Sequence, residues 1–240
     1  MKIMRIQSKH ITMQAAHTKF LGERIVYPES DGKPMADNTK QAKWIINLYN
    51  NIHILLKDEP QVFIAADHFW YPVKGNPNIK VAPDVMVVFG RPAGDRRSYK
   101  QWREGGLAPQ VVFEILSPSN STVEMLQKRE FYEKYGVEEF IIIDPDQEIF
   151  TVYLKKDGRL QLVDLKKDIW QSPRLKMKLI VTDDGLQALH PNGIPFKTAQ
   201  ELEAEAEKHK QAADTERKAK DAALVEIERL KAELKQLKGK

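Results

Sequence analysis

Residues 109–146 read PQVVFEILSPSNSTVEMLQKREFYEKYGVEEFIIIDPD, and this stretch decides the fold. PQVVFEILS (109–117) is short, apolar, rich in β-branched residues and flanked by prolines, which predicts a strand. NSTVEMLQKREFYEKY (120–135) predicts a helix that Gly136 ends. EEFIIIDPD (138–146) is almost wholly apolar, the pattern of a strand in the middle of a sheet. Upstream, QVFIAADHFWYPV (61–73) and VAPDVMVVFG (81–90) predict two more strands. Over 35–58 a helical period puts Trp44, Ile45, Leu48, Ile52 and Leu55 near one face, with Asn38 or Thr39 as cap. Downstream, IFTVYLKKDGRLQLV (149–163) predicts a hairpin about Asp157-Gly158, followed by strands near 175–182 and 186–190. Helix, strands, helix, strand and hairpins in that order predict an α/β (α+β) domain, a mixed β-sheet flanked by helices.

The composition of the chain sets the outer limits. Its 240 residues are 42% hydrophobic and contain no cysteine, so a core forms and disulfide, thiolate-zinc and cysteine-nucleophile chemistry are excluded. No apolar run approaches a membrane span, and MKIMRIQSKHITMQAAH (1–17) lacks the apolar stretch of a secretory signal, so a cytoplasmic protein without membrane contact is expected. A net charge of +4 is compatible with nucleic acid without requiring it. No GxxxxGK[ST] loop is present, so no nucleotide cofactor is expected. The six histidines show no HExxH or close ligand spacing and read as structural or exposed.

The character of the chain changes near Thr198, dividing it into a domain at 1–197 and a helical tail at 198–240. Thr198 and Glu201 have the spacing of a capping box. A heptad register places Ala199, Leu202, Ala206, Ala213, Ala223, Ile227, Leu230, Leu234 and Leu237 at a and d, interrupted by His209, Glu216 and Lys220. The tail reads either as a coiled coil that forms a homodimer or binds a partner, or as a solvated single helix held by Glu–Lys pairs.

Two carboxylates stand in unusual settings. Asp84 opens an apolar strand after Pro83, and Glu114 lies inside the next one. A carboxylate in such surroundings needs compensation, and a divalent cation can provide it if the strands are neighbours. Read singly, Asp84 also fits a strand-entry cap and Glu114 a structural salt bridge. Lys128 and Tyr132 lie one turn apart on the following helix, where a lysine can orient water or stabilise charge on a phosphate. Between the acidic positions, Arg91, Arg96, Arg97, Lys100 and Arg103 form a basic stretch with Tyr99 and Trp102, suited to a nucleic-acid backbone and unpaired bases. Balanced by Asp95 and Glu104, the same stretch also fits an ordinary solvated loop.

Pro83-Asp84, Phe113-Glu114-Ile115-Leu116-Ser117-Pro118-Ser119, Lys128, Tyr132, Gly136-Val137, Glu139-Phe140 and Asp144-Pro145 resemble the Uma-two family. This bacterial family is described as "putative restriction endonucleases" within the PD-(D/E)XK nuclease superfamily. The resemblance spans 81–146, and more loosely 25–197. It implies a restriction endonuclease-like fold and a Mg²⁺ site, with Mn²⁺ as a substitute, formed by Asp84 and Glu114 with the Ile115 carbonyl as a further ligand. The superfamily's Glu-x-Lys reads Glu114-Ile115-Leu116 here, so the resemblance assigns the lysine's role to Lys128. Gln41, near the start of the first helix, is a polar candidate facing the site. The implied activity is Mg²⁺-dependent endonucleolytic cleavage of DNA. The alternative is a catalytically inactive, nuclease-like DNA-binding or assembly module that uses the coiled-coil tail.

Overall fold

The structure is a computed structural model that describes residues 25–238 apart from 31, 33, 166 and 167. The stretch 1–17, with His10 and His17, lies outside the described residues. A central sheet of six strands holds the domain: β1 (Val62–Ala66), β3 (Val85–Phe89), β5 (Val111–Ile115), β6 (Glu139–Asp144), β7 (Ile149–Lys156) and β8 (Arg159–Leu162), side by side in that order. Only β5 and β6 run parallel; the other neighbours are antiparallel. The parallel pair requires a crossover, and helix α2 (Thr122–Tyr135) provides it. The fold is the mixed, helix-flanked sheet that the sequence predicts.

Alternation along β5 divides the core. Val111, Phe113 and Ile115 face helix α1 (Thr39–Leu55), whose Ile45, Leu48 and Ile52 are fully buried. Val112 faces the other way, into the cluster with Tyr132 of α2, and Glu114 follows it on that face. A small antiparallel sheet, β9 (Ile169–Gln171), β10 (Lys178–Thr182) and β11 (Gly185–Leu189), adds Trp170, Leu179 and Ala188 to the α1 side. Buried Glu139 ties it to β6 by accepting from Ser172 Oγ at 2.5 Å and the Arg174 N–H at 2.6 Å.

Short polar side chains cap both helices, Asn38 as expected and Ser121 as a cap the sequence reading did not name. Asn38 Oδ1 accepts the Gln41 N–H at 2.9 Å at the start of α1, and Ser121 Oγ accepts the Glu124 N–H at 3.1 Å at the start of α2. Gly136, at φ 111°, ends α2 in the left-handed region. Asp157 and Gly158 both take positive φ, the turn that suits the twist of a two-residue hairpin.

One predicted strand is broken. The run at 61–73 stops after Ala66, where Asp67 takes φ 44°, and resumes as β2 (Trp70–Tyr71), which pairs with β4 (Tyr99–Lys100) instead of the central sheet. Apolar composition continues through the break, so periodicity alone does not reveal it. β9 also escapes the sequence reading, because a three-residue strand leaves too little pattern.

Helix α3 (Ala199–Lys238) starts with the capping box: the Glu201 N–H donates to Thr198 Oγ1 at 3.2 Å and the Thr198 N–H to Glu201 Oε2 at 2.7 Å. Among the described residues no helix is long and apolar enough to cross a membrane.

Candidate functional site

The site stands at one end of β3 and β5. Their register pairs Val85 with Phe113, so one step further along the ladder brings Asp84 opposite Glu114. The β1–β3 register pairs Ala66 with Val85 and, by the same step, brings Asp67 beside Asp84. The Asp67 N–H donates to the Asp84 carbonyl at 3.2 Å. Three neighbouring strands thus bring an acidic residue to one level.

Glu114 is 2% exposed, and both its oxygens are engaged. Lys128 Nζ donates to Oε2 at 2.8 Å, and the Tyr132 hydroxyl donates to Oε1. These partners lie one turn apart on α2, whose crossover lays them over β5. Lys128 also lies 3.7 Å from Glu124. Burial works against the Lys128 ammonium, but Glu114, aided by Asp84 and Glu124, raises its pKa above the usual value. Burial and Glu114 together hold the Tyr132 hydroxyl protonated well beyond its ordinary range.

Asp84 is half-buried, and its Oδ2 accepts the Ile115 N–H at 2.6 Å. Burial first, then the charge of Glu114, pushes its carboxyl up to about 8, against the opposing pull of the Ile115 N–H and Lys128. Placing negative charge on both members of the pair is costly, and a nearby cation relieves that cost.

Gln41 is a buried connector. Its Nε2 donates to the Ile115 carbonyl at 2.8 Å, while its Oε1 accepts the Asp37 N–H at 2.8 Å. The start of α1 is thereby fastened to the residue after Glu114. Asp37 Oδ2 accepts from Ser117 Oγ at 2.7 Å and from Ser119 Oγ, which fixes the turn after β5. The structure therefore brings Asp84, Glu114, Ile115, Lys128 and Gln41 together.

The basic stretch divides into two kinds of residue. Arg96 lies over the Phe63 ring at 4.1 Å and donates to Glu104 at 3.0 Å, so it organises the loop. Arg91 Nε is 4.0 Å from Glu104. Arg97 is exposed and pairs with Glu29, Lys100 lies over Tyr27, and Arg103 faces solvent. A relay of contacts links the loop to the acidic pair. Trp70 Nε1 donates to Gln101 Oε1 at 3.0 Å, and the Trp70 ring stacks on Tyr132 at 6.2 Å, which in turn holds Glu114.

Two features of the site escape the sequence reading. Asp67 lies inside an apparently continuous strand, and only pairing with β3 reveals its level. Tyr132 is marked in the sequence by its helical spacing from Lys128, which does not reveal its bond to Glu114. A cavity of about 400 Å³ is lined by Tyr49, His53, His68 and Arg96, without Asp84 or Glu114. No cluster of three or more potential metal-ligating His, Cys, Asp or Glu side chains occurs among the described residues.

A half-buried Asp84 and a buried Glu114 thus stand together on a mixed sheet, beneath a crossover helix that carries a lysine. Over residues 22–181 the chain matches the model of the Uma2 family, described as "Putative restriction endonuclease", and it belongs to that family. A solved structure titled as a putative nuclease belonging to DUF820, from Anabaena variabilis ATCC 29413, is 18% identical. It covers 62% of this chain and 82% of its own, with a TM-score of 0.45. No curated protein matches the chain.

Proposed function

We propose that this protein is a Mg²⁺-dependent endonuclease that hydrolyses DNA phosphodiester bonds. The observation that carries this reading is the placement of Asp84 and Glu114 opposite each other on adjacent strands, with Lys128 Nζ 2.8 Å from Glu114. The donor set fits a hard cation: carboxylates from Asp84 and Glu114, and the Ile115 carbonyl beside them. Burial is the main cause of the raised Asp84 pKa, and the charge of Glu114 adds to it; that second part is what a bound cation would offset. Mn²⁺ suits the same oxygen donors.

When bound, the divalent ion supplies Lewis-acid polarisation of the phosphate and makes water more acidic. The chain's own residues do the rest. The Ile115 N–H and Tyr132 hydroxyl hold the two carboxylates in place. The Lys128 ammonium orients the attacking water or offsets the negative charge that grows on the phosphate. Arg97, Lys100 and Arg103 contact the DNA backbone, while Arg91 and Arg96 shape their loop. Gln41 positions the Ile115 carbonyl.

The second reading is a catalytically inactive DNA-binding or assembly module. It is favoured by one observation: both Glu114 oxygens already accept hydrogen bonds from the chain. Incubation of the purified protein with supercoiled plasmid and single-stranded DNA in Mg²⁺, Mn²⁺ or EDTA separates the two. Metal-dependent cutting that is lost in Asp84→Ala and Glu114→Gln, with folding retained, is the expected result. DNA binding without cutting in either metal supports the inactive module.

A further inference from the structure

Helix α3 leaves its own domain early. Leu202 and Glu205 are partly covered, but beyond them every residue whose side chain is described is exposed except Asp214, which is half-covered. Its last apolar residues are therefore unpartnered: Ile227, Leu230 and Leu234 are 46%, 46% and 57% exposed. With Ala223 and Leu237 they follow the alternating four–three spacing of a coiled-coil seam, Ile227 and Leu234 at a, and Ala223, Leu230 and Leu237 at d.

The positions beside that seam identify the occupant. Glu226 and Glu233 fall at g, and Lys231 and Lys238 fall at e. A parallel second copy places each g residue against the e′ residue five positions on, giving Glu226–Lys231′ and Glu233–Lys238′ on both sides of the seam. An antiparallel copy sets g against g′ and e against e′, so glutamate faces glutamate and lysine faces lysine. Among the described residues, Glu226 pairs with Arg229 and Lys231 with Glu228, surface contacts that are weak and readily exchanged. Ile227 at a with Leu230 at d favours two strands.

We infer that residues 223–237 form a parallel, two-stranded coiled coil with a second copy of this chain. The polar seam residues His209, Glu216 and Lys220 stop the pairing from extending back toward the domain. Roughly 36 Å of helix, from Ala199 to Ala222, remains as a spacer, and the two domains emerge from the same end. Two heptads bury little surface, so the dimer is weak, with a dissociation constant on the order of micromolar. The inference does not depend on nuclease activity.

The chain contains no cysteine, so single cysteines report strand direction cleanly. Full-length Leu237→Cys is expected to form a disulfide-linked dimer under mild oxidation. A link that forms only when Ala223→Cys and Leu237→Cys proteins are mixed overturns the parallel arrangement. In sedimentation equilibrium, the full chain should dimerise reversibly and Leu230→Asp should remain monomeric with an unchanged melt of the domain. Glu226→Lys with Glu233→Lys should weaken dimerisation at least tenfold, and adding Lys231→Glu with Lys238→Glu should restore it. A full chain that is monomeric up to roughly 100 μM, well above a micromolar dissociation constant, overturns the pairing.

Discussion

Lys128 Nζ lies 2.8 Å from Glu114 Oε2, and the lysine is 21% exposed while the glutamate is 2% exposed. Removing one partner of such a pair leaves a charge without compensation. Lys128→Met is expected to destabilise the domain by about 3 kcal/mol, the low end for a buried pair because the lysine keeps some contact with water. Urea unfolding at neutral pH measures it. A loss below roughly 1 kcal/mol would mean that the pair behaves as a surface bridge.

Tyr132→Phe preserves the stacking on Trp70 but leaves Glu114 Oε1 without its donor. The expected cost is about 1–3 kcal/mol, from one unsatisfied buried acceptor. The same variant tests positioning: if the hydroxyl orients Glu114 toward a cation, Mg²⁺ affinity measured by calorimetry falls along with stability.

Asp84 gives the stability a definite pH dependence. Its carboxyl is raised to about 8 in the folded protein, above the ordinary value of 3.8. Its native form thus holds a proton that the unfolded chain gives up, and the stabilisation is fully present below about pH 4 and lost as pH rises toward 8. Asp84→Asn removes this contribution, so its melting temperature should fall less than the wild type's between pH 5 and 8. Equal pH profiles for the two proteins would contradict the raised value.

Gly136 closes α2 at φ 111°, and a Cβ there would meet Ala108 Cβ at 3.2 Å. Gly136→Ala is expected to cost about 1–2 kcal/mol through the left-handed backbone and the contact together. Thermal or urea unfolding checks it.

Arg96 and Arg97 are adjacent but have different surroundings. Arg97→Ala should weaken DNA binding and lower the salt dependence by about one phosphate contact, with stability unchanged. Arg96→Ala should instead destabilise the loop that Glu104 and Phe63 hold. Filter binding across a salt series, paired with thermal melts, separates the two effects.

Much of this architecture was legible in the residues themselves. Caps, hairpin turn and helix stop depend on neighbours a few positions away, so Asn38, Gly136, Asp157-Gly158 and Thr198–Glu201 declare themselves locally. The apolar runs around Asp84 and Glu114 likewise mark carboxylates in surroundings that disfavour charge. What the residues could not declare was pairing. The break at Asp67 became visible only once β1 lay against β3, because a strand's level in a sheet is a property of its neighbour. Tyr132 and Gln41 acquired partners 18 and 74 residues away only through the crossover helix and the packing of α1. Arg96 and Arg97 look alike in one dimension, and only the position of Glu104 and Phe63 in space separates the loop's organiser from its exposed cation. Local conformational preference is carried by each segment; register, burial and charge pairing come from long-range packing, and they decided which of the candidate residues meet.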